Sequence, residues 1–135
     1  MTAFDPKARR ILVTVHVTGP RTTLDAMLLL DTGATTTLIR TSILLRTGLK
    51  LGPNSPQRRF RSATGSAMAP IVVAPQLLAL GEARADFPVA AHDFPPAVTF
   101  DGLLGLDFLR GRLLTLDFAR GRVGLRQPRT WRPWG

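Results

Sequence analysis

Hydrophobic and polar positions alternate with a period of two near the start of the chain, where Leu12, Thr14 and His16 separate Ile11, Val13, Val15 and Val17. Alternation of this kind predicts a strand with one buried face. Thr18-Gly19-Pro20-Arg21 follows with turn chemistry. Residues 24–30 then predict a second strand, whose apolar end Ala26-Met27-Leu28-Leu29-Leu30 reads as buried on both faces. Beyond Asp31-Thr32-Gly33-Ala34, the run Thr36-Thr37-Leu38-Ile39 returns to β-branched and apolar residues. Thr41 stands where it could cap a short helix through Ser42-Ile43-Leu44-Leu45-Arg46, ending at Gly48.

The middle of the chain continues in extended pieces. After the loop Gly52-Pro53-Asn54-Ser55-Pro56, the segments Phe60-Arg61-Ser62-Ala63 and Ala67-Met68-Ala69 flank Thr64-Gly65-Ser66, which reads as a hairpin tip. Its small side chains suit a projecting arm better than a core hairpin. Residues 71–74 and 77–80 predict strands, with Pro70 and Pro75 as breaks or edges. Gly81-Glu82 reads as a turn and residues 86–90 as a further extended piece. Leu106, Leu109 and Leu113 recur at helical spacing. Residues 113–118, the turn Ala119-Arg120-Gly121-Arg122 and residues 123–125 form a terminal hairpin. The chain therefore reads as mainly β, with one or two short helices and no internal repeat or linker.

Composition narrows the functional classes. A length of 135 residues and a hydrophobic share of 44% describe one folded domain with a single core. The absence of cysteine excludes disulfides and thiolate metal sites, and two histidines, His16 and His92, exclude a histidine-rich cluster. The N-terminal residues lack a basic-then-apolar leader pattern, and no apolar run approaches the roughly 18–20 residues needed to cross a bilayer. The expectation is a soluble, cytoplasmic protein without a membrane span. Eighteen basic against nine acidic residues give a net charge of +9. The arginines are scattered, with local density only at Arg58-Arg59-Phe60-Arg61 and towards the C-terminus, as on a solvated surface. No nucleic-acid-binding motif or interleaved set of stacking aromatics accompanies them, so a basic nucleic-acid-binding β-barrel is not the expected reading.

Asp31 carries the candidate chemistry. A carboxylate at the end of an apolar strand is costly unless something requires it there. Gly33 permits close backbone approach, and Thr32 offers a hydroxyl for a structural hydrogen bond. The motif occurs once, so a carboxylate working against a twin of itself would need a second subunit. The simpler alternative is that Asp31 caps local backbone amides and the hairpin is an ordinary surface feature. Asp101, Asp107 and Asp117 read as turn, helix-start or hairpin residues. Met27 and Met68 read as core and arm packing, and both histidines as non-catalytic.

Asp31-Thr32-Gly33-Ala34, a glycine-tipped hairpin around Gly65, and Leu103-Leu104-Gly105 before a short helix occur here in the order that resembles retropepsin-like aspartic proteases. The resemblance is to the bacterial single-domain type and covers residues 11–125. It implies a closed acid-protease β-barrel with one or two short helices, equivalent to half of a pepsin-like bilobal fold. Residues 1–10 would be an N-terminal extension and residues 126–135 an Arg/Pro/Trp-rich tail. It further implies an aspartic endopeptidase active as a homodimer, with Asp31 of each subunit as the catalytic residue. Thr32, Gly33 and Ala34 would complete the active-site loop, Thr32 bonding across the dimer axis. Ala63, Thr64, Gly65 and Ser66 would form a flap over an extended protein or peptide substrate. Leu103, Leu104 and Gly105 would support the loop from behind. No metal or cofactor is implied. A non-catalytic dimeric peptide-binding module of the same fold is the alternative.

Two departures from the retroviral pattern stand out. Thr35 and Leu106 occupy the places where that group carries an acid and an arginine, so the ion pair is lost as a whole and leaves no buried unpaired charge. The chain has no tyrosine, hence no flap tyrosine of the pepsin kind. The tail holds both tryptophans, Trp131 and Trp134, whose apolar surface suits docking on a sister subunit or a partner.

Overall fold

Val13, Val15 and Val17 lie fully buried on one face of a strand, as their alternation requires, in the computed structural model, which describes residues 1–62 and 65–129 (Ser62 by its backbone alone). The first three elements are β1 (Thr2–Ala3), β2 (Leu12–Thr18) and β3 (Thr23–Leu30). Next come β4 (Leu38–Arg40), α1 (Thr41–Arg46), the arm strand β5 (Gln57–Ser62) and the long β6 (Gly65–Ala79). The rest is β7 (Glu82–His92), β8 (Gly102–Leu104), α2 (Leu106–Leu109), β9 (Leu113–Asp117) and β10 (Arg122–Arg126).

Strand order β2-β3-β8-β4-β7-β6, with β6 pairing back onto β2, closes a six-stranded barrel and leaves β5 outside it as the partner of the projecting half of β6. Closure satisfies the backbone groups that open sheet edges would expose. Most neighbours are antiparallel, but β8 runs parallel to β3 and β4 runs parallel to β7. The retropepsin-like expectation of a closed, mainly β half-fold with two short helices is met. Within the segment expected as an N-terminal extension, Thr2 and Ala3 pair with Val123 and Arg122 of β10. Phe4 stacks edge-on against Phe118 with centroids 5.9 Å apart.

Two apolar clusters result. The larger fills the barrel, with Val13, Val15, Val17, Leu28, Ile39, Leu44, Leu77, Leu104 and Phe108 among its members. The smaller gathers Ala34, Leu38, Phe60, Ala69, Ala90 and Leu103, with Leu29, Phe94 and Phe100 packed against it.

Local expectations needed five revisions. The end of β3 is not buried on both faces throughout: Ala26 and Leu28 point into the barrel, whereas Met27 is 40% exposed, because alternate residues of a barrel strand face outward. Thr41 does not cap α1. It is the first helical residue, and Arg40, still paired with His92 of β7, holds the cap position without a side-chain bond. Gly48, with φ of 96°, ends the helix region as its sequence predicts.

The prolines do not divide β6 either. Ile71 N–H donates to Pro56 O while Pro70 is paired with Gln57, so the N–H that Pro70 lacks falls where this ladder uses none. The β6–β7 ladder omits the rung between Pro75 and Asp86, where Asp86 takes φ of 50°. Finally, Ser62 pairs with Gly65, so the link of the arm falls on Ala63 and Thr64, which lie outside the described residues. Gly65 and Ser66 begin the returning strand. The turn of the β6–β7 hairpin is Leu80-Gly81, with φ of 54° and 77°, the two positive values of a type I′ turn.

Gly102 marks the tightest crossing. A Cβ there would lie 2.0 Å from Leu38 O and 2.8 Å from Leu28 Cδ2. Gly102→Ala is therefore expected to cost about 3 kcal/mol in chemical denaturation. Gly52→Ala, where a Cβ meets nothing within 4 Å, should stay within about 0.5 kcal/mol of the parent. At the terminal hairpin, the Arg120 backbone N–H first, and its guanidinium second, hold the Asp117 carboxyl below its ordinary value of 3.8. A lowered folded value contributes stability above the ordinary value and loses it as pH falls through the folded one. The Tm of Asp117→Asn should thus lie slightly below the parent near neutrality, and the gap should close in acid below 3.8.

Candidate active site

Asp31 stands where β3 and β8 end side by side. Parallel pairing of Leu30 with Leu104 brings the Asp31 N–H to 3.0 Å from Leu104 O. The side chain then folds over its own loop: Oδ1 accepts the Gly33 N–H at 2.9 Å, and Ala34 N–H donates to Asp31 O at 3.2 Å. This is the local capping that Asp31 could make without any chemistry, and it occupies one carboxylate oxygen. Among the described residues Oδ2 has no hydrogen-bond partner. Asp31 is half-buried, while Thr32 and Gly33 are exposed beside it.

The loop is fastened from below. Ala34 is fully buried, and its carbonyl accepts the Leu106 N–H at 2.8 Å. Gly105 lies so close that a Cβ would sit 2.9 Å from Ala34 O and from Thr36 O. Only glycine fits there without moving the loop. Thr37, also fully buried, donates its hydroxyl to Asp107 Oδ1 at 2.6 Å and accepts the Gly105 N–H at 3.1 Å. Its own N–H lies 3.0 Å from both oxygens of Asp107.

Asp107 Oδ1 further accepts the Phe108 N–H at 2.9 Å in the first turn of α2. Asp107 is thus a helix-start residue, as its position predicts, and also the anchor of the Asp31 loop. The anchoring was invisible in sequence because its partner is 70 residues away. Asp101 also does more than turn the chain: Oδ2 accepts the Met27 N–H at 2.9 Å, and Oδ1 lies 3.6 Å from Arg40 Nε.

The arm is joined to the same loop. Thr35 N–H donates to Arg61 O at 3.0 Å, and Arg61 N–H donates to Thr35 Oγ1 at 3.1 Å. Thr35 therefore spends its polar atoms on neutral bonds to β5. Phe60, 6% exposed, plugs the arm into the smaller cluster. Met68 does not pack, being 55% exposed on the opposite strand. Gly65 and Ser66 lie on the arm opposite Ser62 and Arg61; the other two expected substrate-binding residues, Ala63 and Thr64, are outside the described set. Leu103 and Leu104 lie on β8 directly behind the loop, with Gly105 at its end.

His16 pairs with Asp25 at 2.6 Å on the outer face of the β2–β3 hairpin, away from this site. Among the described residues, no three His, Asp or Glu side chains are grouped to hold a metal. Nor is any helix there long and apolar enough to cross a membrane.

Comparison with known proteins follows the same segments. A family model described as aspartyl protease matches residues 13–108, spanning both the Asp31 loop and the Leu103-Leu104-Gly105 element. No curated protein matches the chain.

Removing the anchor leaves the buried Thr37 donors without an acceptor. Asp107→Ala is expected to cost about 2–3 kcal/mol and to speed hydrogen exchange at the Thr37 amide. Asp107→Asn keeps an oxygen acceptor and should cost about 1 kcal/mol. Equal stability of the two variants would mean that the carboxamide oxygen contributes nothing to holding the loop.

Proposed function

Because the chain belongs to the aspartyl protease family, we propose that it is an aspartic endopeptidase that works as a homodimer, with Asp31 of each subunit at the two-fold axis. The observation that carries this reading is the state of Asp31: half-buried, its backbone fixed by Leu104, one oxygen held by Gly33 N–H and the other unengaged among the described residues. A carboxylate so held is oriented but still has an oxygen for a reacting group. The exposed Thr32 and Gly33 offer the loop a face for an identical loop, and Thr32 would supply the hydrogen bond that locks the pair.

Two carboxylates facing one another cannot both ionise cheaply, so the pair shares a proton. The ionised member acts as general base on a water lying between them, and that water attacks the peptide carbonyl. The protonated member donates to the developing oxyanion, and the proton taken from water passes to the departing amine. Substrate would lie extended beneath the arm, adding backbone hydrogen bonds to the arm strands, with residues 63–66 as the flap.

Asp31→Asn is expected to retain fold and dimer while lowering cleavage of an extended peptide by on the order of 10³-fold or more. A statine-type peptide mimic, whose hydroxyl imitates the tetrahedral species, should bind the parent far more tightly than the matched plain peptide. That preference should vanish in Asp31→Asn. Undiminished turnover in Asp31→Asn would overturn the mechanism. Equal binding of mimic and plain peptide by an inactive parent would identify a non-catalytic peptide-binding module instead.

A further inference from the structure

The short helix α2 (Leu106–Leu109) joins two parts of the fold. Its start carries the Asp31 loop: Leu106 N–H donates to Ala34 O at 2.8 Å, and Asp107 holds the buried Thr37. Its end is held from β7. Carbonyls in the last turn of a helix have no partner within it, and Arg84 Nη2 donates to one of them, Phe108 O. The same guanidinium lies over the Phe108 ring, 4.9 Å from its centroid. That ring is fully buried and meets Phe87 of β7 edge-on at 5.6 Å.

Arg84 stands two residues after Glu82, on the same face of β7. Glu82 is engaged elsewhere, because its Oε2 accepts the Arg112 Nε–H at 2.7 Å. Arg84 Nε is buried and has no hydrogen-bond partner among the described residues. As packing, a cation so placed is unfavourable: an apolar side chain of similar length would fill the volume without desolvating a charge. What the apolar side chain could not do is donate to the Phe108 carbonyl. Phe108 N–H, for its part, donates to Asp107 Oδ1 at 2.9 Å. Bonds therefore run from Arg84 through Phe108 to Asp107 and Thr37. Among the described residues no hydrogen bond or ion pair links Arg84 to the Asp31 loop directly.

We propose that Arg84 is a positioning residue for Asp31, which seats α2 through the Phe108 carbonyl so that Leu106 and Asp107 hold the loop in its reactive geometry. The proposal rests on the peptidase reading of the Asp31 site, so one readout is independent of cleavage. Arg84→Met keeps the length of the side chain and removes the donor and the charge. Amide hydrogen exchange at Leu106 and Thr37 should quicken about tenfold or more in this variant, while the amides of β2 keep the parent's rates. Arg84 belongs to neither the loop nor the arm, so kcat per active site, counted by titration with the statine-type mimic, should fall about tenfold with KM within about twofold of the parent.

Arg84→Lys keeps the charge and a donor and should bring kcat back to within about threefold of the parent, with exchange at Leu106 and Thr37 restored in step. If Arg84→Met fails to fold, this variant decides alone: values equal to the parent's in both readouts overturn the proposal. Exchange at Leu106 and Thr37 no faster in Arg84→Met than in the parent overturns it as well. Faster exchange with an unchanged kcat per active site also overturns it, since Arg84 would then stabilise α2 without placing the carboxylate. Faster exchange in a parent background that cleaves nothing supports the seating of the loop by Arg84 while overturning the peptidase reading.

Discussion

The close approach of β3 and β8 is the constraint from which the site follows. Two segments with no sequence proximity run parallel for three rungs, Leu28 to Gly102 through Leu30 to Leu104, and deliver Asp31 and Gly105 to the same point. Parallel neighbours need a long crossover, and here the intervening chain supplies β4, α1, the arm and the β6–β7 hairpin. Gly102 and Gly105 bear the steric consequence. A Cβ at either position would fall against a main-chain carbonyl, 2.0 Å from Leu38 O at Gly102 and 2.9 Å from Ala34 O at Gly105. The Thr37–Asp107 bonds then close the knot with a second carboxylate. That charge faces three donors (Thr37 N–H and O–H, Phe108 N–H), which offsets its partial burial.

Replacing the retroviral ion pair by Thr35 and Leu106 gives the loop a different kind of fastening. Thr35 bonds the backbone of Arg61 with neutral groups, and Leu106 contributes only its N–H, to Ala34 O. Neutral bonds avoid the desolvation penalty of a buried pair of charges. They also tie the arm directly to the loop, so the element that would cover substrate and the element that would act on it share a hydrogen-bonded seam. Asp31 is left as the carboxylate of the loop that has an unengaged oxygen among the described residues.

Period-two valines, the terminal hairpin, the stop at Gly48 and the Asp31 motif were legible because each is written in adjacent residues. What was not legible depends on partners far along the chain. Pro70 and Pro75 read as breaks because proline lacks an N–H, but whether a ladder uses that N–H depends on register, which is set elsewhere. Asp107 reads as an ordinary helix-start acid, and nothing near it announces Thr37. Arg40 reads as one of many scattered arginines; its Nη2 donates to Val98 O and Phe100 O, and its guanidinium lies over the Phe94 ring, only once β4 and the segment before β8 are brought together. Met27 reads as core because its neighbours are apolar, yet the pleat turns it outward.

The two apolar clusters meet along three strands and stay separate. On β3, Leu28 enters the barrel core and Leu29 the smaller cluster; on β4, Ile39 and Leu38 divide likewise; on β8, Leu104 and Leu103 do the same. Successive residues of a strand point to opposite sides, so β3, β4 and β8 act as a partition with the barrel core on one side and the smaller cluster on the other. The expectation of two-sided burial at the end of β3 is therefore met at Leu28 and Leu29 while failing one residue earlier. A partition of this kind lets the smaller cluster change its side chains without removing volume from the barrel core, because the two sets share a backbone but not a packing layer. The Asp31 loop leaves from the end of this wall, so the backbone that carries the carboxylate is fixed to the barrel through Leu104 O while its side chain stays half-buried at the surface.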